Sequence, residues 1–166
     1  MADALILGAG PAGLQAVFQL GLAGLTAEVI EARDAPGGLC AAYGDKPVYD
    51  MPGFVSVTGA EIASGLVAQA MQLKPIIHYG EKALRWEAGF RLICASGAEY
   101  SAPVLVVAGG ARFAMDVEPS TCEYSPGLFA IGDAARYLGK TSYLIPAFHE
   151  AALMAHRAFA ILKGAV

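Results

Sequence analysis

Ala4-Leu-Ile-Leu-Gly-Ala-Gly-Pro-Ala-Gly-Leu14 (ALILGAGPAGL) is the stretch from which the rest of the chain can be read. Four uncharged apolar residues running into glycines predict a short buried strand. Pro11 then stands at the first turn of a helix, where its missing N–H costs little, and the helix extends to about Ala23. Ala27-Glu-Val-Ile-Glu31 predicts a second strand. Strand, helix and strand within about thirty residues form a β-α-β unit with parallel strands.

Gly8, Gly10 and Gly13 in this unit have the spacing G-x-G-x-x-G, with Pro11 and Ala12 between the last two. Each glycine has its own physical reason. Gly8 allows the tight turn, Gly10 lets a pyrophosphate approach the backbone, and Gly13 allows close helix–strand packing. The helix N-terminus then offers free N–H groups and a positive dipole end to phosphate. Glu31, 18 residues past Gly13, ends the second strand where a carboxylate accepts from ribose hydroxyls. The competing reading is a purely structural glycine turn. The spacing alone does not separate FAD from NAD.

Composition narrows the class. The chain has 166 residues, 56% hydrophobic and 16% charged, with a net charge of −4. That balance excludes disorder and supports one domain with a real core. No Lys/Arg cluster is present, so nucleic acid is not expected as a partner. The apolar run Gly13 to Gly24 is short and carries Gln15 and Gln19, so no membrane span is expected. Without a basic N-terminal region no signal peptide is read, and the expected location is cytoplasmic. Cys40, Cys94 and Cys122 are far apart and form no C-x-x-C, which points to reduced thiols and to no metal site.

Ala35-Pro-Gly-Gly38 reads as a turn and Leu39 to Val57 as mostly loop. Thr58-Gly-Ala-Glu61 has the form of a capping box before a helix over about 59–73. Ile76 to Val107 reads as several strands, with turns at Ala88-Gly89 and Ser96-Gly-Ala98. Leu128-Phe-Ala-Ile131 predicts another buried strand. A closing helix runs from Pro146 to about Lys163, with Phe148, Ala152, Leu153, Ala155, Phe159 and Leu162 at helical spacing. The expected fold is a single α/β Rossmann-like domain: a central parallel sheet, helices on one side and a small β-meander on the other.

The runs Gly8–Leu14, Glu31–Cys40, Tyr49–Phe54, Gly127–Ala134 and Phe148–Ala155, in that order over nearly the whole chain, resemble the FAD-binding half of flavoprotein disulfide reductases. The similarity is greatest to the thioredoxin-reductase-like ferredoxin–NADP⁺ reductases. The resemblance implies FAD as cofactor. It carries Gly8, Gly10, Pro11, Ala12, Gly13, Glu31, Ala32 and Gly38 to the adenine and pyrophosphate side. Gly132 and Asp133 match the second fingerprint of the family, whose Asp accepts from the ribityl chain or approaches the pyrophosphate. Tyr43 matches the tyrosine of the loop after the double glycine, although this loop is one residue shorter. Tyr49 is the aromatic placed against the isoalloxazine ring, Ala83 lends its main chain to adenine, and Gly109 with Phe113 follows the family's glycine turn. Leu39 stands where relatives often carry Gln. The closing helix, around Ala147 to Glu150, is expected to aim its N-terminus at the flavin N1/C2=O edge, with Phe148 and His149 in that turn. His149 has a solvent-facing alternative. His78 and His156 are read as structural or surface residues.

In the resembling enzymes a second Rossmann-like domain, binding NADPH, is inserted between the segments that match Val104–Phe113 and Asp116–Ile131. Those segments are adjacent here, at a seam near 113–114, and no second glycine fingerprint exists. The C-x-x-C of thioredoxin reductases, which lies in that insert, is absent. So is the second cysteine that glutathione-reductase-like enzymes carry shortly after the position of Cys40. The family's C-terminal tail over the flavin is expected to be short or missing, since the sequence ends at Val166. Three functions stay open: a minimal FAD-dependent oxidoreductase or electron-transfer protein, a non-catalytic FAD module, sensor or subunit, and a trimmed FAD domain of a ferredoxin or thioredoxin reductase. A homodimer, or a redox protein or reductase docking at the exposed flavin, is the expected partner.

Overall fold

A computed structural model describes residues 1–164; the reading at Val166 lies outside the described residues. The first strand, β1 (Ala4–Leu7), is followed by α1 (Pro11–Leu22) and β2 (Ala27–Ile30), as the glycine pattern predicts. Then come α2 (Gly38–Tyr43), β3 (Pro47–Val48), β4 (Val57–Thr58), α3 (Gly59–Met71) and β5 (Ile76–His78). A meander of β6 (Ala83–Glu87), β7 (Arg91–Cys94) and β8 (Glu99–Ser101) precedes β9 (Val104–Val107). The remainder is β10 (Met115–Asp116), β11 (Glu123–Ser125), β12 (Leu128–Ala130), β13 (Ala135–Arg136) and α4 (Leu144–Lys163).

The central sheet has the order β11-β12-β9-β1-β2-β5. All its pairs are parallel except the β11/β12 hairpin. β1 sits in the middle because the chain leaves it towards β2 on one side and later returns as β9 on the other. Register keeps Ile6 beside Val29 and Val106. Strands buried on both faces need apolar residues throughout rather than alternation, and β1 and β9 are fully buried along their length. Ala4, Ile6, Val104, Val106 and Phe129 face α1, α3 and α4, whereas Leu5, Leu7, Leu105, Val107 and Leu128 face Ala83, Leu92 and Cys94 of the meander. The expected two-sided α/β architecture is the one observed.

Three elements differ from the sequence reading. The stretch 39–57 is not plain loop: it holds α2 and the antiparallel pair β3/β4. Gly37 and Gly38, at φ +108° and +54°, let the chain turn sharply into α2, and six helical residues are too few to display a period. α4 begins at Leu144, two residues before Pro146, because Pro is tolerated throughout a first turn whose N–H groups have no partner. Its buried face is Ala147, Glu150, Ala151, Met154, Ala155 and Ala158. Of the residues chosen by spacing only Ala155 belongs to it, and Phe159 is exposed. Small side chains let α4 lie close on α1, which pushes the bulky residues to the flanks of the contact.

β9 ends, Ala108-Gly-Gly110 turns, Ala111–Phe113 forms one turn of 3-10 helix, and β10 pairs in parallel with β13.

Candidate functional site

In an open parallel sheet, ligands bind beyond the carboxyl ends of the strands, where neighbouring connections diverge. Here the divergence lies at β1, between β2 and β9, and a cleft of about 720 Å³ opens there. Its floor is made of strand ends: Leu7 and Gly8 after β1, Ile30 and Glu31 after β2, Ala108 and Gly109 after β9, and Gly132 after β12.

The glycines divide by cause. A Cβ at Gly8 would lie 2.7 Å from the Ala108 carbonyl oxygen, and φ there is +105°. A Cβ at Gly13 would lie 1.9 Å from the Gly8 carbonyl oxygen. Both are required by packing alone. Gly10 is different: a Cβ there meets only Gly38 Cα at 3.8 Å, an ordinary contact. Its backbone is also ordinary, with φ −76°. The chain's own packing does not require glycine at this place. α1 has no side-chain cap, so the N–H groups of its first turn have no capping acceptor.

Glu31 is buried and braces this loop. One carboxylate oxygen accepts from the Ala9 N–H at 2.6 Å and the other from the Arg33 N–H at 2.8 Å. Each oxygen keeps a further lone pair for a hydroxyl in the cleft. At the opposite end Gly132, at φ +61°, turns against Ala12, where a Cβ would come within 2.8 Å of the Ala12 side chain. The Gly132 N–H donates to Glu150 at 2.7 Å. This second buried carboxylate also accepts from the Tyr137 hydroxyl at 2.7 Å and from Lys140. Pattern reading missed Glu150, whose only sequence signal is a lone acid inside an apolar helix.

The cleft collects most of the predicted residues. Gly8, Gly10, Pro11, Ala12, Glu31, Ala32, Gly38, Leu39, Tyr43, Tyr49, Ala83, Gly109, Phe113, Gly132 and Asp133 line it. Gly13, Phe148 and His149 do not. Gly13 faces the Gly8 carbonyl, Phe148 packs on the core, and His149 is exposed. The α4 residues that reach the cleft are Leu144 and Ala147, joined by Ser142 and Tyr143 from the loop before the helix. The N-terminus of α4 also has an anionic partner already, because Asp50 accepts from the Leu144 N–H at 3.1 Å.

No thiol is poised to react. Cys40, Cys94 and Cys122 are free and buried. Burial, then the Asp50 charge, raises the Cys40 thiol. Burial, helped by Glu81, pushes Cys94 up to about 11. Burial, then Glu150, pushes Cys122 up to about 12. Among the described residues no His/Cys/Asp/Glu group of three or more is placed to hold a metal, and no helix is long and apolar enough to cross a membrane.

Comparison with known proteins gives this geometry relatives. The family model of an NAD(P)-binding Rossmann-like domain matches residues 6–73. The ferredoxin–NADP reductase of Beijerinckia indica is 40% identical over 116 residues, covering 65% of this chain and 34% of that protein. The Ralstonia pickettii ferredoxin–NADP reductase is 36% identical over 151 residues, covering 83% and 42%. Among solved structures, T. acidophilum thioredoxin reductase superposes with a TM-score of 0.82 at 13% identity, over 96% of this chain and 98% of that one. That last likeness is one of fold. The chain spans about a third of the length of the first of these curated relatives. By sequence the chain is similar to part of the ferredoxin–NADP reductases, and it shares its fold with the thioredoxin reductases.

Proposed function

We propose that the chain is an FAD-binding domain whose two halves are joined directly at 113–114, where the resembling reductases carry a nicotinamide-binding domain. The observation that carries the reading is Gly10: an unhindered position left without a side chain, at an uncapped helix N-terminus, inside the cleft. A pyrophosphate fits that place by both charge and space. The well-formed passage from β9 through Ala111–Phe113 to β10 supports the direct join.

The residues present fit FAD along the cleft. The Gly8–Gly13 loop and α1 would hold the pyrophosphate, with Glu31 at the adenosine ribose and the Ala83 main chain beside adenine. Gly132 and Asp133 would hold the ribityl side. Tyr49 and Tyr143, both exposed at the mouth, would cover the ring face and keep water from it. FAD, when bound, supplies the hydride and electron chemistry. The chain's part is to bind, orient and partly shield it, so no side chain is assigned as acid or base. The function that follows is a flavin-dependent oxidoreductase or electron-transfer domain fed by a separate donor.

A second reading, an NAD(P)-binding domain, is favoured by the description of the matching family model. The partner reading is a homodimer. Tyr49, Phe54, Val55, Leu138, Tyr143 and Ile145 support it, because they stand exposed on the 49–55 and 138–145 segments, which the Asp50–Leu144 bond joins. Anaerobic reduction tests the function. FAD-loaded protein should bleach with dithionite and stay yellow on the same timescale with NADPH or NADH. Fast bleaching by either nucleotide would refute the need for a separate donor.

A further inference from the structure

We infer that Glu150 and Lys140 form a positioning pair that sets the flavin-side wall of the cleft, by fastening the 132–143 segment, which carries β13, to α4 at Gly132, Tyr137 and Lys140. The inference rests on the FAD reading above. Three donors from that loop converge on one carboxylate: the Gly132 N–H at 2.7 Å, the Tyr137 hydroxyl at 2.7 Å, and the Lys140 ammonium. The side chains of Glu150 and Lys140 are 1% and 10% exposed. A carboxylate so buried is costly unless its charge is met and its lone pairs are filled, and here the loop supplies all three partners.

What the loop carries explains why the arrangement matters. Asp133, Ser142, Tyr143 and Leu144 line the cleft. They lie beside the tethered points: Asp133 next to Gly132, and Ser142 to Leu144 just after Lys140. A Cβ on Gly132 would meet the Ala12 side chain at 2.8 Å, so the α1 side of this turn has no room for a side chain. The turn is therefore set between Ala12 on one side and Glu150 on the other. The adenosine end is braced separately, by Glu31 on the Ala9 N–H. Each of the two glycine turns thus has its own buried carboxylate, one on β2's end and one on α4. Loss of Glu150 should disturb the flavin end and spare the adenosine end.

The test compares two probes, FAD and AMP, by titration well below the unfolding temperature of each variant. Glu150→Ala should weaken FAD about tenfold while AMP stays within about twofold of wild type. Tyr137→Phe, which removes one uncharged donor and is the milder variant, should weaken FAD about threefold with AMP unchanged. The double variant Lys140→Met/Glu150→Gln removes both charges but keeps an amide oxygen to accept from the Gly132 N–H and an amide NH2 to donate to the Tyr137 hydroxyl, so its FAD affinity should stay within about threefold of wild type. Equal losses of FAD and AMP would show general softening and overturn the inference. So would unchanged FAD affinity in Glu150→Ala, or in Tyr137→Phe should Glu150→Ala not fold. A wild-type chain that binds AMP but no FAD would overturn the FAD reading itself, and this inference with it, before any variant is compared.

Discussion

Gly10→Ala and Gly13→Ala should separate a glycine kept for a ligand from one kept for packing. A methyl at Gly10 touches only Gly38 Cα at 3.8 Å, and φ −76° suits alanine. Alanine is a poorer N-cap than glycine by about 1 kcal/mol. Lower freedom in the unfolded chain returns about 0.4–1 kcal/mol. The two nearly cancel, so the urea midpoint of Gly10→Ala should stay close to wild type. FAD binding should not survive so well. A methyl that holds the pyrophosphate away from the helix N-terminus loses charge-assisted bonds of about 1.5–3 kcal/mol each. Losing two costs about 3 kcal/mol or more, which is over about 100-fold in Kd. Gly13→Ala places its Cβ 1.9 Å from the Gly8 carbonyl oxygen, an overlap of two rigid groups that no rotamer relieves. Its cost should be about 3 kcal/mol or more in stability before any ligand is added. Urea unfolding without ligand, with flavin fluorescence titration at low denaturant, reads both quantities. Wild-type FAD affinity in Gly10→Ala, or equal destabilisation by both substitutions, would refute the assignment of Gly10 to the ligand.

Four further outcomes are expected. Ellman's reagent should leave Cys40, Cys94 and Cys122 unreacted in the native protein and label all three in urea, because burial keeps the thiolate fraction low. The same burial gives an alkaline signature: from 9.0 to about 12 the unfolded Cys122 loses its proton while the folded one keeps it. Stability therefore falls with pH across that window, and Cys122→Ala should flatten the fall; an unchanged slope would contradict it. Thr58→Ala breaks the side-chain half of the capping box: Glu61 still accepts from the backbone N–H of position 58 at 2.8 Å, but the hydroxyl that accepts from the Glu61 N–H at 3.2 Å and donates to its carboxylate at 2.9 Å is lost. It should cost about 1 kcal/mol in urea unfolding with no change in FAD affinity, and since these bonds hold the Glu61 carboxyl below its usual range, the stability they give should be present above pH 4.5 and lost in acid. Tyr49→Ser, at a side chain 78% exposed without ligand, should leave the unfolding midpoint within about 0.5 kcal/mol and weaken FAD by about three- to tenfold in titration; an unchanged Kd would remove Tyr49 from the ring.

The β-α-β start was legible because three independent signals agree there: an apolar strand, glycines at fixed spacing and Pro11 at the helix's first turn. The capping box at Thr58 and the meander were legible for similar local reasons. What the sequence hid depends on distant partners. Spacing on α4 favours Phe148 and Phe159, yet the face packed on α1 is lined by Ala147, Ala151 and Ala158, since close helix approach selects small residues. Glu150 is buried only because Gly132, Tyr137 and Lys140 arrive from a loop to meet it. β11 pairs through polar residues at the sheet edge, where no apolar run marks it. In the cleft, glycines and Glu31 were readable by motif, whereas Ser142, Tyr143 and Leu144 belong to no motif and are placed by the tethered loop and by Asp50.

The central claim is that this cleft holds FAD rather than a nicotinamide dinucleotide. Calorimetric titration of the ligand-free protein with FAD and, separately, with NADPH and NADH tests it most directly. The account predicts saturable binding of one FAD per chain, with neither nicotinamide nucleotide able to displace it. Tight binding of NADPH or NADH with no uptake of FAD would contradict it.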